Sequence, residues 1–380
     1  MGASQIAGGG GDGEGLRPED TASGPEVEEN EIVFRIPDPD RELAGVRLYQ
    51  EIDRPRNGPE FSQTASGAWE LRWARPQADR VEYQVELLGK DGSSGPICDP
   101  FNPRTTPGVF GDKSVVEVPG YRPPAWLDEE LPFGARVETA VKSRILRAEL
   151  PLIVWSSAGT TSDQELPLLI VHDGPEFDAL AQLTRFLAYA TTTGRVPPMR
   201  AALLGPMDRN QIFSASAAYA RAFAHEILPK IVELAPTPHG RTHRIGMGAS
   251  LGGLSMLHLH RRNPATFGAL YLQSGSFFRQ RFDSQESDFV RFRRISRFVG
   301  SVLTSEMWAH PIPLTITCGL AEENLRNNEA MRDALARQGY DVTWVDHRDA
   351  HNWVSWRDTF DPHLGSLLAS QWSGAQRTAP

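Results

Sequence analysis

The segment from Arg244 to Gly253 constrains the fold of this chain more than any other part of the sequence. It reads Arg-Ile-Gly-Met-Gly-Ala-Ser-Leu-Gly-Gly, so that Ser250 lies between Gly248 and Gly252, and a helical apolar pattern follows from Leu254. This arrangement is typical of a sharp strand-to-helix turn that lifts a serine hydroxyl above a sheet. Glycines flank the serine because the turn is strained and crowded. The segment predicts a nucleophilic serine at 250; the alternative is a glycine-rich turn whose serine has no function.

Length and composition indicate a globular protein of about two domains. The 380 residues carry a formal net charge of −9, which argues against a nucleic-acid surface. No apolar stretch approaches the roughly 18 residues that a membrane span needs. The two cysteines lie far apart, and no Cys/His spacing typical of a zinc site occurs. We therefore predict no metal, no cofactor, no nucleic-acid partner and no membrane partner.

The first 30 residues are rich in Gly, Glu and Asp. They lack the basic start and the apolar core of a secretion signal. We expect a disordered tail over residues 1–30 and a cytoplasmic protein.

Between residues 31 and 122 the chain consists of short runs in which apolar and polar residues alternate. Such alternation predicts half-buried strands, and Gly89–Gly92 is a hairpin-turn signal. Several strands in about 90 residues predict an all-β sandwich domain. The clearest predicted strands are Glu31–Arg35, Gly45–Gln50, Ala68–Trp73 and Arg80–Leu87.

Between residues 130 and 374 near-continuous apolar runs alternate with helical patterns. Leu166–His172 has the composition of a strand that is buried on both faces. The alternation predicts an α/β domain with a doubly wound, mostly parallel sheet. The other predicted strands are Arg136–Ala140, Leu152–Ser156, Met199–Leu204, the strand that enters Ser250, Ala269–Gln273, Leu314–Cys318 and Asp341–Val345. The predicted helices are Asp178–Ala190, Ala218–Leu234, the helix that follows Ser250, and Asn328–Gln338.

Two loops after later strands contain the residues that a nucleophilic serine requires. A serine hydroxyl needs a base within hydrogen-bond reach, and the base needs an acid that orients it. The loop after the strand that ends at Cys318 contains Glu322 and Glu323, and the loop after the next strand contains His347 and His351. Both loops open at the carboxyl edge of the sheet. We favour His351, since the longer excursion can reach back over the serine, and Glu322, with Glu323 as the second choice.

These segments resemble the enterochelin esterase family, part of the esterase D group of α/β-hydrolases. Gly248–Gly253 matches that family's Gly-x-Ser-x-Gly-Gly elbow, and Gly319–Glu322 matches its Gly-x-x-Glu acid loop. Ala350–Arg357 resembles its Gly-His-Asp/Asn-Trp-x-x-Trp-Arg segment, with Ala in place of Gly. Asp99–Pro103 resembles the Asp-Pro-Leu-Asn-Pro motif of the family's N-terminal Ig-like domain. The resemblance implies an Ig-like sandwich followed by an α/β-hydrolase domain.

The oxyanion hole is predicted to have two backbone N–H donors. The N–H of Leu251 follows the serine and should point at a developing oxyanion. The resemblance implies a second donor beside Asp173-Gly174. Related esterases use the residue after Asp-Gly, but Pro175 at that position has no N–H. Gly174 is therefore the expected donor, with Glu176 as an alternative.

The resemblance implies a serine carboxylic ester hydrolase that acts on a small-molecule ester through an acyl-enzyme, with a ferric-siderophore lactone as the first candidate substrate. Carbohydrate or aryl (feruloyl or acetyl) ester hydrolysis is the second candidate, and a catalytically silent binding protein is the third. Asp173, Arg209 and Trp353 are expected to contact substrate, although Trp353 is also suited to anchoring the histidine loop. The six arginines of Arg279–Arg297 are interpreted as a solvated face or as a clamp for an anionic substrate. The sequence makes no prediction of the oligomeric state.

Overall fold

The structure, a computed structural model, describes residues 24–53, 56–92 and 94–373. Of the tail predicted over residues 1–30, residues 1–23 lie outside the described part. Within the remainder of that segment, Glu26–Val27 forms a short strand that pairs with the strand Glu31–Ile36.

The N-terminal part consists of two antiparallel sheets that face each other. The apolar members of their alternating strands, such as Phe34, Leu48 and Val81, form one buried cluster between the sheets. The strands are β1 (Glu26–Val27), β2 (Glu31–Ile36), β3 (Leu43–Gln50), β4 (Ser62–Gln63), β5 (Trp69–Ala74), β6 (Arg80–Gly89), β7 (Pro96–Ile97), β8 (Thr105–Thr106) and β9 (Lys113–Glu117). One sheet has the order β1-β2-β5-β4 and the other β3-β6-β9-β8, with β7 paired to β6. The four strands predicted from alternation correspond to β2, β3, β5 and β6.

The C-terminal part is built on one eight-stranded sheet of order β10-β11-β13-β12-β14-β15-β16-β17. Its strands are β10 (Ala135–Ser143), β11 (Ala148–Ser156), β12 (Leu168–His172), β13 (Arg200–Leu204), β14 (Arg244–Ala249), β15 (Ala269–Gln273), β16 (Pro313–Gly319) and β17 (Asp341–His347). The pairs β10·β11 and β11·β13 are antiparallel, and all later neighbours are parallel. The sheet is therefore mostly parallel, as predicted.

Helices cover both faces of this sheet. They are α1 (Gly174–Ala181), α2 (Leu183–Thr192), α3 (Arg209–Ile212), α4 (Ala217–Ala222), α5 (Leu228–Leu234), α6 (Leu251–Arg262), α7 (Phe292–Leu303), α8 (Leu325–Arg337), α9 (Trp353–Asp358) and α10 (Gly365–Ser373). Successive residues of a strand point to opposite faces, so Ile170 joins one apolar cluster while Leu169 and Val171 join the other. Burial on both faces explains why the central strands read as unbroken apolar runs.

One predicted helix is wrong in its boundaries. The sequence predicts a single helix over Asp178–Ala190, but the structure divides this region into α1 and α2 at Gln182, whose φ is 52°. A left-handed residue interrupts the helical hydrogen bonds, and the Asp178 side chain accepts the backbone N–H of Thr184 at the break. Among the described residues, no helix combines the length and the apolar character that crossing a bilayer would require.

Candidate active site

Ser250 is the single residue between β14 and α6. Its φ of 54° and ψ of −124° place it in a sparsely populated region of backbone space, as a nucleophile elbow demands. A Cβ at Gly248 would lie 2.6 Å from the carbonyl carbon of Gly252, so a larger residue cannot replace this glycine without moving the backbone. The N–H of Ser250 donates to the carbonyl of Gln273 at 2.9 Å, which ties the turn to β15.

Two further non-glycine residues with positive φ follow neighbouring strands. Asp173 comes directly after β12 with a φ of 52°, and Ser274 comes directly after β15 with a φ of 48°. Together with Ser250 they lie at the carboxyl ends of three adjacent strands. Strained backbone at one edge of the sheet is typical of a functional site.

The acid and the base predicted from sequence are in direct contact. The Nδ1 atom of His351 lies 2.8 Å from Oε2 of Glu322, whose side chain is fully buried. The other carboxylate oxygen, Oε1, accepts the Ser274 hydroxyl at 2.6 Å and the Gly319 N–H at 2.8 Å. Burial alone would raise the pKa of Glu322, but the imidazole of His351 and these hydrogen bonds outweigh it and lower that pKa. Glu322 is thus held as a carboxylate that can orient the imidazole.

The two alternatives weighed from sequence have other partners. Glu323 forms an ion pair with Arg56 of the N-terminal part at 2.9 Å. His347, at the end of β17, has its Nε2 atom 2.7 Å from the hydroxyl of Ser355. Burial lowers the pKa of His347.

Ser250 and His351 line the same cavity, whose volume is about 150 Å³. In this arrangement the Ser250 hydroxyl lies 3.1 Å from the hydroxyl of Ser276, which also lines the cavity. The N-terminal part contributes Glu51 and Arg56 to the same wall. The remaining described lining residues are Phe278, Asp283, Gln285, Glu286, Glu323, Asn324 and Asn327.

The predicted oxyanion donors begin two helices on adjacent parallel strands. Leu251 is the first residue of α6, and Gly174 is the first residue of α1. A Cβ at Gly174 would lie 2.3 Å from Cα of Leu203, so close packing on β13 requires glycine there. The carboxylate of Glu176 accepts that residue's own N–H, which leaves Gly174 as the better candidate for the second donor.

The three residues predicted to contact substrate have visible structural partners. Asp173 is buried and accepts a bidentate pair of hydrogen bonds from Arg209 at 2.8–3.0 Å. Trp353 packs edge-on against Phe177 and Trp356, with ring centroids 5.1 and 4.9 Å away. None of the three belongs to the described lining of the cavity around Ser250. Trp353 therefore has the surroundings of an anchor for the histidine loop, and substrate contact by these residues remains a prediction.

The arginine-rich segment contributes Asp283, Gln285 and Glu286 to the described cavity lining, but none of its six arginines. Arg294 donates to the backbone carbonyls of Ser214 and Gln211, and the guanidinium of Arg279 lies 4.5 Å from the ring centre of Phe282. These contacts do not support a clamp for an anionic substrate. Across the part of the chain that the structure describes, no group of three or more His, Cys, Asp or Glu side chains is arranged to hold a metal ion.

Sequence reasoning assigned no role to the serines that follow β15 or to the arginine that reaches the cavity from the N-terminal part. Ser274 and Ser276 follow β15 at the edge that carries the other site residues, which is a signal that could have been read. Trp356 supports Ser274 by donating its indole N–H to that hydroxyl at 3.0 Å, and its ring lies edge-on to His351 at 5.0 Å. Arg56 had no comparable signal, because it comes from a loop of the other domain.

Comparison with known proteins places this chain in a family. The model of a family described as putative esterases matches residues 146–367, which is more than half of the 380-residue chain. The chain belongs to this esterase family. The predictions of an α/β-hydrolase fold and of a serine ester hydrolase related to the enterochelin esterases are confirmed at this level.

The named relatives are similar over 54–93% of this chain. The chain is 25% identical over 295 residues to the iron(III) enterobactin esterase of Escherichia coli O6:H1 (strain CFT073), covering 75% of this chain and 70% of that protein. It is 27% identical over 216 residues to the iron(III) enterobactin esterase of Dickeya dadantii, covering 54% of this chain and 48% of that protein. The crystal structure of the Shigella flexneri enterobactin esterase in the presence of enterobactin superposes with a TM-score of 0.71 at 20% identity, covering 93% of this chain and 96% of that one. At that identity the superposition shows the shared fold.

Proposed function

We propose that this protein is a serine esterase that opens the ester bonds of a catechol-bearing siderophore lactone, with Ser250 as nucleophile, His351 as base and Glu322 as orienting acid. The observation that carries the proposal is the hydrogen bond between His351 and the buried Glu322 beside the cavity that contains Ser250. The curated relatives, which are enterobactin esterases, support the substrate class.

The chemistry is acyl transfer in two halves. Rotation of the Ser250 side chain away from Ser276 would turn its hydroxyl toward Nε2 of His351, which takes the proton as the oxygen attacks the ester carbonyl. The N–H groups of Leu251 and Gly174 would bind the oxyanion, and Glu322 would stabilise the imidazolium. His351 then protonates the leaving alkoxide, and a water activated by the same imidazole cleaves the acyl-enzyme. The products are a carboxylic acid and an alcohol, with Ser250 regenerated.

The shape and lining of the cavity bear on the substrate. Its volume of about 150 Å³ is below the roughly 300–1,000 Å³ of sites that enclose drug-sized ligands. It is therefore suited to one arm of a larger lactone rather than to the whole molecule. The carboxylate and amide groups of Glu51, Asp283, Asn324 and Asn327 offer acceptors to a hydroxyl-bearing arm.

The test combines active-site labelling with a substrate panel. A fluorophosphonate probe should label wild-type protein at Ser250 and leave Ser250→Ala unlabelled. Wild-type enzyme that has not been treated with the probe is then assayed with a tri-catechol trilactone in its free and ferric forms, with feruloyl and acetyl esters, and with p-nitrophenyl esters. We expect the lactone to give the highest kcat/KM. Absence of labelling would refute the serine mechanism, whereas labelling with a clear preference for feruloyl or acetyl esters would refute the substrate class alone.

The setting of the reaction is also part of the proposal. We expect a small-molecule ester as the only partner, without nucleic acid or a membrane, and action in the cytoplasm. Fractionation of the source cells and detection of the native protein test this expectation.

A further inference from the structure

The loops that carry the proposed acid and base are packed against the N-terminal sandwich. Ala321, next to Glu322, and Ala350, next to His351, belong to the same buried apolar cluster as Val81 and the other core residues of the sandwich. Neither alanine belongs to the two apolar clusters that cover the faces of the α/β sheet. The core of one domain therefore extends to the residues beside the catalytic groups of the other.

A reciprocal pair of hydrogen bonds reinforces this contact. The N–H of Asp79 donates to the carbonyl of Arg348 at 2.8 Å, and Nε of Arg348 donates to the Asp79 carboxylate at 2.8 Å. Asp79 is itself fixed in the sandwich, since its carbonyl accepts the N–H of Val118 at 2.9 Å. The segment before His351 is thus attached to the sandwich through backbone as well as side chain.

Asp349 connects this attachment to both catalytic loops. Its buried Oδ1 atom accepts the N–H of Ala350 at 2.7 Å and the side-chain amide of Asn352 at 3.1 Å, so it binds the residues on either side of His351. Its carbonyl accepts the N–H of Ala321 at 3.1 Å, in the loop of the acid. A Cβ at Gly319 would lie 2.2 Å from that carbonyl oxygen, which shows how closely the two loops approach.

The electrostatic surroundings of Asp349 come from the sandwich. Burial raises the pKa of Asp349 to about 8, the Ala350 N–H and the guanidinium of Arg80 oppose that rise, and Glu82 adds to it. Arg80 is almost fully buried and pairs with Glu82 at 2.7 Å. Burying a carboxyl group costs free energy unless the group is hydrogen-bonded. The hydrogen bonds of Asp349 hold the loop that contains His351.

We propose that Asp349 is a positioning residue that fixes His351 over the cavity, and that the sandwich contributes to catalysis by holding Asp349 in place. Asp349 does not touch the reacting atoms; it acts through the backbone of Ala350 and the side chain of Asn352. The inference rests on the proposed role of His351 as the base.

The decisive experiment compares three variants in the full-length protein. Asp349→Ala removes the acceptor, Asp349→Asn keeps an acceptor oxygen at the same place, and Asp346→Ala removes an exposed acid near the end of β17 as a control. The readouts are kcat and KM for p-nitrophenyl butyrate and the rate at which a fluorophosphonate labels Ser250. The labelling rate needs no knowledge of the natural substrate.

We expect Asp349→Ala to lower kcat and the labelling rate on the order of 100-fold, because a misplacement of about 1 Å has that effect on a catalytic group. KM should stay close to wild type, since the residues that line the cavity other than His351 are not altered. Asp349→Asn should recover most of the lost rate, and Asp346→Ala should match wild type.

Thermal melting shows whether Asp349→Ala is folded. A folded Asp349→Ala protein with the kcat and labelling rate of wild type would overturn the proposal. If that variant does not fold, Arg348→Ala provides the test from the surface side. It should lower kcat without changing KM, and wild-type kinetics in Arg348→Ala would then overturn the proposal. Failure of wild type to be labelled would instead refute the esterase mechanism itself, so the two failures are distinguishable.

Discussion

Replacing Glu322 by Gln changes one atom of the buried carboxylate and should reverse its hydrogen bond to His351. Oε1 accepts from Ser274 and from the Gly319 N–H, so the amide oxygen of the new side chain must stay at that position. The amide NH₂ then occupies the position of Oε2, 2.8 Å from Nδ1 of His351. To accept from it, the imidazole must carry its proton on Nε2, the nitrogen that has to receive the proton of Ser250.

An exchange of this kind leaves the geometry intact and fixes the wrong tautomer, which lowers kcat about 10⁴-fold, equivalent to about 5.5 kcal/mol of transition-state stabilisation. The assay is steady-state hydrolysis of p-nitrophenyl butyrate, with fluorophosphonate labelling of Ser250 as a second measurement. Glu323→Gln is the matched control, because Glu323 pairs with Arg56 rather than with His351. A Glu322→Gln enzyme as fast as wild type, combined with a slow Glu323→Gln enzyme, would refute the reasoning and transfer the role to Glu323.

Three further changes test other parts of the structure. Gly248→Ala should abolish fluorophosphonate labelling, because the new Cβ would lie 2.6 Å from the Gly252 carbonyl carbon; Gly300→Ala, whose Cβ would meet nothing within 4 Å, is the control, and a labelled Gly248→Ala protein would contradict the elbow geometry. Arg209→Ala leaves the buried Asp173 carboxylate without its bidentate partner and should reduce the free energy of unfolding by about 3 kcal/mol in urea titrations. The exposed pair of Arg195 with Asp361 is the comparison, and equal losses in Arg195→Ala and Arg209→Ala would show that burial is irrelevant. Asp349 has a folded-state pKa of about 8 against the ordinary value of 3.8 for an aspartate, so its contribution to stability is fully present below pH 3.8 and is lost as pH rises toward 8. Asp349→Asn removes this dependence, and its Tm relative to wild type should rise between pH 5 and pH 8; a constant difference would contradict the shift.

The parts of the site that depend on local sequence were predictable. The elbow around Ser250 is specified by glycines within three residues of it, and the central strands are marked by apolar runs that only a sheet covered on both faces requires. The order of serine, acid and histidine then places Glu322 and His351 at one edge, because the carboxyl ends of parallel strands coincide. Each of these inferences needs only short-range pattern and the rules of sheet topology.

The rest depends on contacts that leave no local signal. Arg56 reaches the cavity from a loop nearly two hundred positions before Ser250, and nothing near it in the sequence distinguishes it from a solvated arginine. The break between α1 and α2 requires Gln182 to adopt a left-handed conformation, which is rare for this residue type. Asp349 lies only two positions before His351, and the sequence does not indicate what its carboxylate binds in the folded loop.

The positive φ angles of Asp173, Ser250 and Ser274 oppose the stability of the fold. Each non-glycine residue in such a conformation costs on the order of 1–3 kcal/mol, and here three of them end neighbouring strands. Glycine at these positions would relieve the strain, but it would delete the Ser250 hydroxyl together with the side chains of Asp173 and Ser274. Selection for heat resistance alone should therefore enrich variants of this enzyme that are more stable but catalytically inactive. A directed-evolution experiment would have to measure turnover in every round.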